Sequence, residues 1–343
     1  MFDRKGQLIY IGKAKCLRSR LLSYFRPHSR DPKAGRIIQH AAAIAYEPAP
    51  SEFAALLREL ELIRRRRPRF NVVGVPGRLR FCYVCIGHQP APYVYATRQP
   101  TGRELACFGP VPGLAGVSEA VRRLNDAFGL RDCAKNQTMH FADQGELFPQ
   151  PRTPGCLRAE IGTCCGPCAG RCTQSEYTQR TRQAHAFLDG SDTTLLVQLA
   201  EEMESAARAM EYERAASLRD KLAAIRRLAD HLGWLRQARQ QHSFIYPLGG
   251  HDGIELWYFI SRGLIRRVMR GPRCPTSARR VAESIRAIYR PERSPAAVVP
   301  VDQLDGILLV ASWFRRHAAE RAKLLTPEEA LARCHALATA IAP

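Results

Sequence analysis

The residues of this chain that could do chemistry stand near its start. Tyr10 and Lys13 share the run Tyr10-Ile11-Gly12-Lys13, Arg20 and Tyr24 follow, and Glu59 and Asn71 come later. A tyrosine hydroxyl, two cations and one carboxylate able to hold a divalent metal form a set suited to phosphodiester cleavage. The spacing predicts how they are carried. Gln7 to Ile11 reads as a short strand that delivers Tyr10 and Lys13 at its end. Leu17, Leu21 and Tyr24 recur at helical spacing, which puts Arg20 and Tyr24 on neighbouring turns of one helix. A second helix begins at Ser51, a good N-cap, and runs to about Arg67, with Phe53, Leu56, Leu57, Leu60 and Ile63 as its inward stripe. Glu59 borders that stripe. A carboxylate at such a border needs a partner, and the candidates are a divalent metal, Arg20 or Lys13.

Charge points to the kind of partner. Fifty-two Lys and Arg against 32 Asp and Glu leave a formal net charge of +20 over 343 residues. Arginine-rich stretches recur at 64–67, 122–123, 226–227, 266–267 and 279–280. A dispersed excess of this kind implies a polyanionic partner. No apolar run reaches membrane-spanning length and no signal peptide is evident, so the expectation is a soluble, cytoplasmic protein without a membrane partner.

The pattern divides the chain into five segments of an α/β (α+β) multidomain protein. Residues 1–76 form a small α/β unit, closed by the Gly74, Pro76 and Gly77 breakers. Residues 77–130 hold two strands, Phe81 to Ile86 and Tyr93 to Thr97, and a basic amphipathic helix from Val117 to Phe128. Residues 131–190 are rich in Gly, Pro and Cys. Residues 191–232 are a helical pair. Residues 233–343 read as a small sheet (Ser243 to Tyr246, Glu255 to Ile260, Leu264 to Met269) followed by helices around Thr276 to Tyr289 and Gly306 to Ala319.

Two of these segments carry further candidates. The chain has 12 cysteines, and in a reducing compartment they point to a metal or cluster rather than to disulfides. Cys133, Cys156, Cys164 and Cys168 stand at C-x22-C-x7-C-x3-C, with Cys165 and Cys172 as extras. Four thiolates can replace a hydrophobic core by binding a metal, and the spacing alone admits either zinc or an iron–sulfur cluster. In the helical pair, Leu195, Leu199, Met203, Ala206 and Met210 repeat at helical spacing. Ala215, Leu218, Leu222 and Ile225 do so again after a turn near Glu211. So short a pair buries little area alone and wants a partner.

The words IYIGKAKCLRSRLLSYF and SEFAALLRELELIRRRRPRFNV, in that order, resemble the GIY-YIG nuclease family and, within it, the N-terminal half of the UvrC excision-repair nucleases. CLRAEIGTCCGPC, with the LRDC before it, resembles the cysteine-rich region of the same family, and MEYERAASLRDKL its UVR motif. The likeness covers roughly residues 2–232. It implies metal-assisted incision of damaged DNA on the 3′ side of a lesion. In that scheme Glu59 holds one Mg²⁺ or Mn²⁺, Tyr10 helps deprotonate the attacking water, Arg20 and Lys13 neutralise phosphate charge, Tyr24 positions the phosphate and Asn71 supports the site. It also implies a [4Fe–4S] cluster on Cys133, Cys156, Cys164 and Cys168. The implied partner is UvrB, met through Tyr212, Ala215, Ala216, Leu218, Arg219 and Asp220.

The chain departs from the family in two places. The family has an earlier strand with a tyrosine facing Tyr10, and this sequence begins at Met1-Phe2-Asp3, just after that strand would end; a misplaced start is the favoured reading. Nothing after residue 235 supplies the aspartates of an RNase H-like domain or the hairpins of helix-hairpin-helix motifs. Two rival functions follow: a catalytically impaired accessory protein that binds DNA and UvrB, and a GIY-YIG endonuclease with another DNA target.

Overall fold

The computed structural model describes residues 1–25, 34–71, 81–134, 136–145, 155–290 and 299–339. It is the mixed helix-and-sheet multidomain chain that the pattern predicts. In chain order the elements are α1 (Leu17–Tyr24), α2 (Ala34–His40), α3 (Glu52–Arg66), β1 (Phe81–Ile86), β2 (Val94–Thr97), β3 (Ala106–Pro112), α4 (Leu114–Phe128), α5 (Leu157–Glu160), α6 (Gln174–Asp189), α7 (Thr194–Arg208), α8 (Tyr212–Gln240), β4 (Phe244–Gly249), β5 (Glu255–Ser261), β6 (Leu264–Arg270), α9 (Pro275–Ile288), α10 (Val301–Arg316) and α11 (Pro327–Thr339). They gather into two compact units. The first joins Met1–Leu79 to Ala238–Ser294 and Val301–Pro343, and the second is Arg80–Gln237 with Pro295–Pro300.

In the first unit, Ser51 caps α3 through its hydroxyl, which accepts from Ala54 N at 3.1 Å. The apolar stripe of α3 does not face the N-terminal segment. Phe53, fully buried, packs with Leu56 and Leu57 into a core made by Tyr246, Tyr258, Ile260, Val310, Trp313 and Phe314. The antiparallel sheet β4-β5-β6 and α10 therefore form the wall on which α3 leans. A separate small cluster of Ile9, Tyr24, Ala34, Ile37 and Phe70 holds the N-terminal segment together. The expected strand at Gln7 to Ile11 is extended chain with one bridge, Leu8 to Phe2, and Phe2 also bridges Ala43. These segments meet at single positions, so no ladder forms there among the described residues.

In the second unit, β2-β1-β3 is antiparallel. Its apolar residues share one core with α4, α6, α7 and α8. α8 runs past residue 232, the expected end of the helical pair, to Gln240, because Leu222, Ile225, Leu228, Leu232 and Leu235 continue one buried stripe. Cys85 and Cys107, cross-strand neighbours on β1 and β3, are joined as a disulfide. The reading that the cysteines point to a metal or cluster rather than to disulfides does not hold for this pair: directly opposed residues on adjacent strands bring two sulfurs together whatever the sequence spacing. The break at Gly74, Pro76 and Gly77 lies outside the described residues.

Candidate active site and cysteine pocket

Tyr10 leaves the extended segment with its ring against Gly12. A Cβ on Gly12 would lie 2.9 Å from both Cε1 and the hydroxyl of Tyr10, so only glycine lets the ring take this place. From α1, the Arg20 guanidinium donates to the Tyr10 hydroxyl at 3.4 Å and lies over the Tyr24 ring, 5.0 Å from its centroid. Tyr10 and Tyr24 meet edge to face at 6.1 Å. Burial, together with the Tyr10 hydroxyl, pushes the Tyr24 phenol well above its usual range. Partial burial works against the charge of Arg20, but the Tyr10 and Tyr24 hydroxyls outweigh it and hold the guanidinium still more firmly protonated.

Glu59 joins this group from α3. At about 100° per residue, Glu52 and Glu59 share a face a quarter turn or so from the Phe53 stripe. Glu59 Oε1 accepts the backbone N–H of Lys13 at 3.2 Å, while Oε2 has no hydrogen bond among the described residues. Burial raises the Glu59 carboxyl above its ordinary range, against the opposing pull of Lys13 and Arg20. The Lys13 ammonium pairs instead with Glu52, as does Lys15 at 3.0 Å. The bond from Lys13, with that from Lys15, holds the Glu52 carboxyl down to about 2. Glu52 was not singled out from the sequence; its one signal was its place seven residues before Glu59 on the same helix. Asn71 clamps the tyrosine segment, its Oδ1 accepting from Ile11 N at 3.0 Å and its Nδ2 donating to Ile11 O at 2.9 Å. All six candidates thus meet in the first unit, with Asn71 touching backbone rather than the open face.

Cys133, Cys156, Cys164 and Cys168 line one pocket in the second unit, together with Arg131, Asp132, Met139 and Arg158. Cys165 and Cys172 lie outside that lining and face each other at 3.4 Å. Burial pushes the Cys164 thiol up to about 11 and raises Cys168 as well, so binding a metal there would release protons. No three of the four pocket sulfurs lie within 4.8 Å of one another among the described residues. Arg131 braces the rim: it is buried, donates to Cys133 Sγ at 3.4 Å and to Ala134 O at 3.0 Å, and lies over Tyr93. Arg158 ties Asp126, at 2.8 Å, to Asp132 and to the Leu130 and Thr163 carbonyls. Neither arginine was marked as functional from the sequence, although Arg131 stands in the LRDC word.

On the helical pair, the turn leaves Met210 73% and Tyr212 70% exposed. Ala215, Ala216 and Leu218 are half-buried, and the exposed Arg219 and Asp220 pair with each other at 2.9 Å. Leu199, Ala206, Leu222 and Ile225 are buried.

The fold and the site together describe a nuclease-type unit followed by a cysteine-rich unit with a helical pair. Comparison with known proteins gives the same order. The UvrC-like GIY-YIG domain matches residues 1–72, the middle domain of UvrC/Cho excinucleases matches 81–187, and the UvrB/uvrC motif matches 193–228. The chain is 30% identical over 346 residues to the UvrABC system protein C of Moorella thermoacetica, covering 96% of this chain and 52% of that protein. It is 34% identical over 230 residues to that of Shewanella sediminis, covering 67% of this chain and 36% of that protein. The chain belongs to the UvrC family and spans about a third to a half of the length of these relatives. No solved structure matches it, and among the described residues no helix is long and apolar enough to cross a membrane.

Proposed function

We propose that the chain is a cytoplasmic DNA endonuclease of nucleotide excision repair that nicks the damaged strand on the 3′ side of a lesion, working with UvrB. The observation that carries this is the meeting of Glu59 with Lys13 and Arg20, the latter donating to the Tyr10 hydroxyl. One oxygen of Glu59 is anchored to a backbone N–H and the other has no hydrogen bond among the described residues, which suits a hard cation that takes a single protein carboxylate and fills its remaining positions with water and phosphate oxygens. Glu59 would hold that ion. The chemistry supplied by a bound Mg²⁺ or Mn²⁺ is polarisation of the scissile phosphate and stabilisation of the leaving oxygen. Tyr10, with Arg20 on its hydroxyl, would help deprotonate the attacking water. Arg20 neutralises charge building on the phosphate, Tyr24 packs against both, and Asn71 fixes the Tyr10 segment through Ile11. Lys13 contributes its N–H to Glu59, and its ammonium stays with Glu52 until a phosphate competes for it.

The pocket cysteines fit a polynuclear cluster better than zinc. Four thiolates on one zinc lie about 3.8 Å apart, from Zn–S bonds of about 2.3 Å, whereas no three of these sulfurs lie within 4.8 Å of one another among the described residues. Cys133, Cys156, Cys164 and Cys168 would hold a [4Fe–4S] cluster with Arg131 hydrogen-bonded to one ligand sulfur. The exposed turn at Met210 and Tyr212 supports UvrB docking, with Ala215, Ala216, Leu218, Arg219 and Asp220 behind it. The net charge of +20 supports DNA as the substrate.

The deciding experiment is Glu59→Gln in a metal-dependent nicking assay beside a DNA-binding measurement. Cutting should vanish while affinity stays within a few-fold. Retained cutting removes Glu59 from the reaction, and loss of both together makes it a folding residue.

A further inference from the structure

A group of side chains able to ligate a metal lies in the second unit, apart from the residues that line the cysteine pocket. Cys85 on β1 and Cys107 on β3 stand directly opposite each other, buried at 0% and 6% exposure. Glu104, in the turn before β3, brings a carboxylate to them, so that one oxygen of Glu104 and the two sulfurs all lie within 4.8 Å of one another. The carboxylate is held in an unusual way. Its Oε1 accepts three hydrogen bonds, from the Tyr95 hydroxyl at 3.0 Å, Thr101 N at 2.8 Å and the Thr101 hydroxyl at 3.0 Å. Its Oε2 is buried and has no hydrogen-bond partner among the described residues. A buried carboxylate oxygen without a donor is costly, and fixing one oxygen aims the other. Hydrogen bonds of this kind on the far oxygen are what orient carboxylates that ligate metals.

We propose that Cys85, Cys107 and Glu104 form a zinc site in the reduced protein, exchangeable with the Cys85–Cys107 disulfide. Two thiolates and one carboxylate are a donor set for zinc rather than for magnesium or calcium, which take oxygen donors alone. Bonds of about 2.0–2.3 Å to a tetrahedral ion separate its donors by about 3.3–3.8 Å. The sulfurs must therefore part from bonding distance, by side-chain rotation on two strands that stay paired. The fourth position would be water. The exchange balances with a thiol as co-reactant: two molecules of RSH reduce the Cys85–Cys107 bond, giving RSSR and two cysteine thiols. Zinc then displaces the two thiol protons. A small-molecule disulfide runs the exchange backwards, releasing zinc and two molecules of RSH as the S–S bond forms. The ion supplies the positive charge that Glu104 Oε2 lacks in the disulfide form.

The test uses the full chain with its cysteine pocket intact, so that zinc held elsewhere is common to every sample. Wild type, Cys85→Ser and Glu104→Gln are reduced with dithiothreitol, equilibrated against buffered free zinc and assayed for zinc per chain. Wild type should hold one zinc more than Cys85→Ser, and Glu104→Gln, which keeps the carboxylate's shape, should bind that zinc at least tenfold more weakly. Treating wild type with oxidised glutathione should release the extra equivalent and yield the Cys85–Cys107 cross-linked peptide. If Cys85→Ser fails to fold, Glu104→Gln decides by itself. Equal zinc in wild type and Glu104→Gln at every free concentration overturns the proposal, as does a Cys85–Cys107 disulfide that persists in dithiothreitol.

Discussion

Phe53→Ala is the sharpest test of how the proposed catalytic helix is supported. Phe53 has no exposed surface and its ring lies 5.1 Å from Tyr258, 5.3 Å from Tyr246 and 5.3 Å from Trp313. Removing the ring loses about 1.5–3 kcal/mol of burial and about 0.5 kcal/mol or more for each of three aromatic pairs. The sum agrees with the roughly 3–5 kcal/mol typical of Phe→Ala in a core, a large part of the stability of one unit. Trp257 and Trp313 lie in the first unit and Trp234 in the second, so a Trp234→Phe background confines the fluorescence signal to the first. In urea, at about 1–3 kcal/mol per molar, that transition should move down by roughly 1–5 M. Phe25→Ala, at a side chain 66% exposed, should move stability by about 0.5 kcal/mol or less. Nicking should fail at temperatures where the parent still cuts, because Glu59 rides on the same helix. A Phe53→Ala loss below about 1 kcal/mol would refute the argument that this core supports α3.

Three further outcomes follow from the geometry. Glu52 has a carboxyl lowered to about 2 by Lys13 and Lys15, so it stabilises the fold above its ordinary value near 4.5 and this stability is lost as pH falls towards 2; Glu52→Gln should flatten acid unfolding across that window, measured by circular dichroism. Tyr212→Ala should weaken UvrB binding by roughly ten- to hundredfold, from about 1.5–3 kcal/mol for an aromatic ring that becomes buried, and calorimetry that finds equal affinity would place the interface elsewhere. Cys164→Ser should abolish the broad visible absorption of anaerobically purified protein and its iron content, whereas Cys165→Ser should keep both.

Local chemistry made much of this protein legible before any fold was known. Ser51 ahead of an amphipathic run sets the start of α3. Alternating and β-rich runs mark β1, β4, β5 and β6, whose neighbours along the chain are also neighbours in the sheet. Cys156, Cys164 and Cys168 can be read from their short spacing, C-x7-C-x3-C, whereas Cys133 stands apart across 22 intervening residues. Other local signals mark helix starts. Thr173 with Glu176 forms a capping box at α6, and Thr326 with Glu329 exchanges the same two bonds before α11; the apolar periodicity of both helices is weak.

What only the tertiary structure decided is which distant groups share a surface. A helical period says that Phe53, Leu56 and Leu57 face inward, but not that their partners are Tyr246, Tyr258 and Trp313, some two hundred residues on. It places Glu59 beside the stripe, but the choice between its own Lys13 N–H and the Lys13 ammonium, which goes to Glu52, depends on where the tyrosine segment crosses α3. Cys85, Glu104 and Cys107 carry no motif at all, since their meeting depends on the register of β1 against β3. Periodicity and capping act over a few residues, where the chain itself fixes the distances, whereas partners across a core are set by burial, which is non-directional and leaves no spacing in the sequence to read.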